Sequence, residues 1–297
     1  MEKKVTVRDV AKEAGVSVAT VSYIMNNRTD QKISEDTRKK VLQIANLLNY
    51  KPSSVAKSLA TGCNGTIGIA YRLDNARPSR SLEISNFMNL LIERLNRLNY
   101  DVLFMPYNLD DNHTSHHRHV DGILAIDLSN EAFLHLADNS LVPVISVDML
   151  INDSLFYQIY TDIPFYITKA KEYFKDDFYL ILDAYENEKY MDFLTQDFPS
   201  DHILCYSSCS PQDFTILKNR KALVIGSYLA LVMSPYINFE NMAVVATVDT
   251  EQLLPDSCYL LKNDVATKAN LAINILLNAL NRKFDVKHDH KLTPETF

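Results

Sequence analysis

A glycine and a serine one residue apart, Gly15 and Ser17, constrain this chain more than any other feature. Glycine at the end of an amphipathic stretch closes a helix, because it enters the left-handed region without a Cβ penalty. Serine opens the next helix, because its hydroxyl accepts a hydrogen bond from a first-turn amide. With only Val16 between them, two short helices must meet at a tight turn. Upstream, Thr6 and Asp9 have capping-box spacing, and Val10, Ala11 and Ala14 give the first helix an apolar side. Downstream, Val18, Val21, Ile24 and Met25 do the same for the second helix, which Asn26 and Asn27 end. Ser34 caps a third, with Glu35 and Asp36 in its first turn and a core face of Val41, Ile44, Ala45 and Leu48. This is the spacing of a major-groove reader, with Ser17 to Ser22 presented to DNA. An ordinary three-helix bundle is the competing reading.

Net charge first argues the other way. The 297 residues carry 30 Lys and Arg against 37 Asp and Glu, a balance of −7, and an acidic chain repels nucleic acid. The balance is not uniform. Eleven of the basic and six of the acidic side chains fall in residues 1–62, making that segment +5. The remainder keeps 19 basic and 31 acidic groups, or −12. A basic head on an acidic body suits a polyanion-binding module joined to a sensor. No apolar run approaches the ~20 residues of a membrane helix, and the N-terminus has no signal-peptide core. Four cysteines are too few for a disulfide framework, so a reduced, cytoplasmic protein is expected.

After the head, Pro52 stands at a good first helical position and Gly62 at a good stop. The implied helix is shorter than the ~12–15 residues that persist alone in water, so it is expected to fold only when something supports it. Three segments follow from this: a helix-turn-helix head at 1–50, a hinge helix at 51–62, and a body at 63–297.

The stretch Val5 to Ser22 resembles the headpiece of the lactose/galactose repressor (LacI/GalR) family. So do Asn26, Ser34-Glu35-Asp36-Thr37-Arg38 and Leu48-Asn49-Tyr50-Lys51-Pro52, while Val55-Ala56-Lys57-Ser58-Leu59 resembles its hinge helix. The resemblance implies roles. Thr6, Ser17, Thr20, Ser22 and Asn26 match phosphate-holding positions, and Val18, Ala19 and Tyr23 match base-reading ones. Leu59 matches a wedge pushed into a minor-groove step, with Ala56 packing against the symmetry mate and Ser53, Ser54 and Lys57 touching backbone or groove. Many family members carry Arg where Tyr23 stands. Tyr cannot make the bidentate guanine contact, so a different base preference is expected there. Tyr23 as a packing or phosphate-contact residue is the equal alternative.

The body alternates short buried apolar runs with amphipathic stretches, the pattern of an α/β fold with parallel sheets. Apolar runs fall at 66–71, 101–105, 121–126, 143–147, 158–160, 179–182, 203–205, 222–226 and 242–246; helices are expected at 82–98, 130–139, 164–174 and 265–280. Two runs of such units fit two Rossmann-like subdomains, crossing near 158–162, with a cleft at the strands' carboxyl ends. The order resembles the periplasmic-binding-protein-like effector domain of the same family. Tyr71, Asp162, Glu186, Tyr228 and Asp249 fall at or beside its effector-contacting positions. Several depart from the pattern: Ile163 replaces an Asn, Glu186 replaces a sugar-binding Arg and reverses its charge, and Tyr228 replaces Asp or Asn. The segment between Tyr107 and Val120 is short for the family. No leucine heptads follow Arg282, so a dimer without a tetramerising tail is expected.

Other chemistry fails on spacing. His113, His116, His117 and His119 read as a solvated loop rather than a metal site. There is no phosphate-binding glycine loop and no nucleophile elbow, so neither a cofactor nor catalysis is expected. The sequence is thus identified as a DNA-binding regulator, a repressor of a carbohydrate-utilisation operon under a small-molecule effector. Its expected partners are a pseudo-palindromic double-stranded DNA operator, a second copy of itself as homodimer, and an effector such as a sugar. The alternative keeps the DNA-binding head but lets the altered body answer a protein co-regulator or a non-sugar ligand.

Overall fold

The computed structural model describes residues 5–25, 31–50, 63–107, 119–247, 250–283 and 287–294. The chain forms two compact units, Met1–Asn64 and Gly65–Phe297.

The first unit holds three helices, α1 (Val7–Ala14), α2 (Val18–Met25) and α3 (Glu35–Leu47). The turn forms as its residues dictate. Gly15 sits at φ +68°, and the Val16 amide reaches back to the Ala11 carbonyl at 3.0 Å. The Ser17 hydroxyl then accepts from the Thr20 amide at 3.0 Å. At α1 the Thr6 amide and hydroxyl both donate to Asp9 Oδ2, at 2.8 and 2.7 Å. Val10, Ala11, Ala14, Val21, Ile24, Val41 and Ala45 close a small core. Ser34 caps α3, accepting from the Thr37 amide at 3.2 Å. Ser34→Ala removes a cap of about 1 kcal/mol. Amide exchange across Glu35–Leu47 should therefore quicken about fivefold in the full chain, as read by mass spectrometry. The expected stop at Asn26–Asn27 and the hinge at 51–62 lie outside the described residues.

The second unit has two lobes. The first begins β1 (Thr66–Tyr71), α4 (Pro78–Arg97), β2 (Asp101–Pro106), β3 (Gly122–Ile126), α5 (Asn130–Asp138), β4 (Val144–Val147) and β5 (Tyr157–Thr161). The chain then crosses to build the other lobe. That lobe holds α6 (Ile163–Phe174), β6 (Tyr179–Leu182), α7 (Glu188–Thr195), β7 (Ile203–Cys205), β8 (Ala222–Ile225), α8 (Ser227–Met233), β9 (Met242–Thr247) and β10 (Tyr259–Asn263). It returns through α9 (Val265–Leu280) and ends in the first lobe as β11 (Asp289–Leu292). The sheets run β11-β5-β4-β3-β1-β2 and β10-β9-β8-β6-β7. Every pairing is parallel.

Gly122–Ile126 is buried at every position, as a parallel strand covered on both faces must be. Leu124 and Ile126 meet α4 and α9 on one side, and Ile123 and Ala125 meet α5 on the other. The second lobe repeats the plan, with Leu180 and Leu182 facing α6 and α7 and Ile181 facing α8.

Two elements differ from their sequence-based outline in ways that matter. The long helix begins at Pro78, four residues before Leu82, because Pro fits its first turn. This brings Arg80 onto the helix and Arg77 to its cap. β11, which no apolar run announced, adds an edge strand to β5 and follows the crossover at Asp162 closely.

Candidate functional site

On the head, the N-terminal half of α2 turns its residues outward. Ser17, Val18 and Ala19 are exposed, Thr20, Ser22 and Tyr23 are half-buried, and Val21 and Ile24 fill the core. The Ser17 and Thr20 hydroxyls lie 2.9 Å apart. Thr6 is exposed at the start of α1. Arg8, Lys12, Lys32, Lys39 and Lys40 are exposed on the same unit. Hydroxyls, outward amides and cations together are what a phosphate backbone takes. Asn26, Ser53, Ser54, Ala56, Lys57 and Leu59 lie outside the described residues.

In the body, the crevice at the carboxyl ends of the strands is packed with charge. Three strands are each followed by an aspartate: Asp127 after β3, Asp148 after β4 and Asp183 after β6, all buried. Asp127 and Asp148 adopt φ +47° and +53°, a left-handed conformation that Asp tolerates better than most residues. Arg80, itself buried, donates from Nε to Asp127 at 2.9 Å and from Nη2 to Asp148 at 3.1 Å, and Nη1 meets Glu83 at 3.3 Å. Lys268 on α9 donates to both oxygens of Asp148, at 2.8 and 2.9 Å, and to Thr161 at 3.3 Å. Arg77 reaches Glu186 at 2.6 Å, the Ala184 carbonyl at 2.9 Å and Asp127 at 3.4 Å.

Three cations thus face five carboxyl groups, and the surplus shows in the titration. Burial raises the Asp148 carboxyl, but Lys268 and Arg80 outweigh it and hold it below its ordinary value. Burial dominates at Glu83, which is pushed up to about 7 although Arg80 pulls it down. Burial also raises Asp183 against the Arg80 and Ala184 amides that pull it down. Glu83 lies against Gly226, where φ is +107° and a Cβ would collide with the carboxylate.

Of the five residues expected at an effector site, the four described ones are not gathered in one place. Glu186 is in the crevice, bonded to Arg77. Tyr71 ends β1 half-buried, edge-on to Phe104 at 6.2 Å. Asp162 sits at the crossover, where it accepts from Lys291 at 3.1 Å and Thr293 at 2.9 Å. Tyr228 lines a cavity of about 350 Å³ in the same crevice, walled also by Arg80, Glu83, Asp148, Tyr185 and Lys268. Asp249 lies outside the described residues. Arg77, Arg80, Asp127, Asp148, Asp183 and Lys268 were missed, though three buried runs each ending in Asp were there to be read. Among the described residues no group of three or more metal-ligating side chains gathers, and no helix is long and apolar enough to cross a membrane.

Residues 6–53 match the family model described as bacterial regulatory proteins, lacI family. Residues 6–53 are thus similar to the DNA-binding head of that family. Its 65-residue match to the transcriptional regulator GalS of Salmonella typhimurium is 51% identical and covers 22% of this chain and 18% of that protein. The probable transcriptional repressor ExuR of Bacillus subtilis is 32% identical over 185 residues, 57% of this chain and 51% of that protein. The chain spans about half the length of the relatives it matches, or less. Among solved structures, the lac repressor dimer bound to operator and an anti-inducer superposes with a TM-score of 0.64 at 20% identity, covering 98% of this chain and 96% of that one. The regulator CelR in complex with cellobiose gives 0.56 at 14%, covering 97% of each. At such identities these likenesses carry the fold. The segment similar to that head precedes an α/β body of two parallel sheets, the fold these neighbours share.

Proposed function

We propose that this protein is a cytoplasmic, sequence-specific transcriptional regulator, acting as a repressor of carbohydrate-utilisation genes and controlled by a small-molecule effector such as a sugar. The observation that carries the reading is the outward N-terminal half of α2, Ser17 to Ala19, on a three-helix head with exposed cations and a lacI-family match. Two heads of a homodimer read two half-sites about one helical turn apart in a pseudo-palindromic operator. Thr6, Ser17, Thr20, Ser22 and Asn26 hold phosphates, and Val18, Ala19 and Tyr23 face base edges. Ser53, Ser54, Ala56, Lys57 and Leu59 form a hinge pair whose leucines wedge the centre of the site. An effector shifts DNA affinity only by its difference in affinity for the two states of the body. Tyr71, Asp162, Glu186, Tyr228 and Asp249 are the residues assigned to contact it.

Selection from random duplex DNA tests this reading. The full chain should enrich an inverted repeat and bind it with Kd of about 10⁻⁸–10⁻¹¹ M at physiological salt. Leu59→Ala should weaken that specific binding while leaving loose, strongly salt-dependent binding nearly unchanged. Equal loss of both would remove the wedge role, and failure to enrich any motif would remove the function.

A further inference from the structure

Between β6 and α7, five consecutive residues each touch the opposite lobe. Asp183 accepts from the Arg80 amide at 3.2 Å. The Ala184 carbonyl accepts from Arg77 at 2.9 Å. The Tyr185 ring lies under the Arg80 guanidinium, 4.1 Å from its centre. Glu186 takes the Arg77 guanidinium at 2.6 Å, and its amide donates to Asp127 at 2.9 Å. Asn187 accepts from the Leu150 amide at 3.0 Å.

We propose that Asp183–Asn187 is a built-in latch, closed by Arg77 and Arg80, that holds the two lobes together without any ligand. Ligands of two-lobed α/β proteins enter at the carboxyl ends of the strands, and here two arginine side chains of the protein itself stand in that space, Arg80 forming part of the wall of the cavity of about 350 Å³ that lies beside them. Their donors go to Asp127, Asp148, Glu83, Glu186 and a backbone carbonyl, except Arg77 Nε, which is buried without a hydrogen-bond partner among the described residues. Arg77 is 5% and Arg80 5% exposed, so these charge-assisted bonds act where water competes little. The reversed charge at Glu186 is thereby explained within the chain: its cation comes from Arg77 across the crevice rather than from its own lobe. A molecule entering the crevice must take over partners the chain already supplies. The latch stands on the body alone and holds whether or not the head reads an operator.

Pulsed electron–electron resonance between spin labels on the two lobes tests it. Labels go on Leu141→Cys and Ile216→Cys, both exposed, in full-length protein with Cys63, Cys205 and Cys209 replaced by Ser and diluted into unlabelled chain. The parent should give one narrow distance in plain buffer. Arg77→Ala and the isosteric Glu186→Gln should each lengthen and broaden it, and the double variant should be no more open than either alone. Arg72→Ala, at the solvent-exposed side of Glu186, should leave it narrow. If Arg77→Ala loses its fold by circular dichroism, Glu186→Gln carries the test. A broad distribution in the parent, or a narrow one surviving in Glu186→Gln, overturns the latch.

Discussion

Asp148→Ala should lower the unfolding free energy by about 3–5 kcal/mol, the cost of leaving buried charge without its partner. In a scanning calorimeter that is a fall in Tm of about 6–20 °C for a unit of this size. Asp148 serves two cations at once, Lys268 at 2.8 Å and Arg80 at 3.1 Å. Arg80 keeps Asp127 and Glu83 when it is lost. Lys268 keeps only the Thr161 hydroxyl at 3.3 Å and the Phe87 ring at 5.2 Å. The uncompensated ammonium is therefore the larger part of the penalty, and adding Lys268→Met should recover most of it. The sign with pH follows from a carboxyl held below its ordinary value. Its contribution is present above the unfolded-state pKa and is lost as pH falls, so the gap between Asp148→Ala and the parent should narrow in acid. A gap under about 1 kcal/mol at neutral pH would mean the network bears little of the body's stability.

Glu83→Gln should do the reverse and stabilise the protein at pH 8. The Glu83 carboxyl rises from 4.5 to about 7 on folding, so the native state holds a proton that the unfolded chain has released. Stability from such a group is full below pH 4.5 and is lost as pH rises through 7. Each unit is worth ~1.36 kcal/mol, but 24% of the side chain meets solvent, which reduces the sum to about 2–3 kcal/mol. Gln is neutral throughout. Between pH 5 and 8 the variant should lack that fall, and its advantage should vanish at pH 5. An unchanged slope would place the proton elsewhere, with Asp183 the next group to replace.

The sequence disclosed what local chemistry controls. The turn around Gly15, the caps at Thr6, Ser17 and Ser34, and α9 from Val265 to Leu280 were legible, because each depends on residues a few positions apart. β11 was not, since Asp289-His290-Lys291-Leu292 has no apolar alternation and is a strand only because β5 offers it an edge. α7 and α8 were passed over for their brevity. At the crevice the apolar repeat started the long helix at Leu82, which hid Arg77 and Arg80. The partners of Asp162, Lys291 and Thr293, lie far along the sequence and leave no local trace.

The return of α9 and β11 to the first lobe has a consequence for how the chain is made. The second lobe is one continuous stretch from α6 to β10, and it is complete as soon as Asn263 has left the ribosome. The first lobe must wait, with β5 an open edge and α4 alone on the sheet face it shares with α9, until α9 and β11 emerge. Domains form as units during synthesis, so the lobe encoded second is the one finished first. The crevice charges, drawn from β3, β4, β6, α4 and α9, can come together only after α9 has emerged.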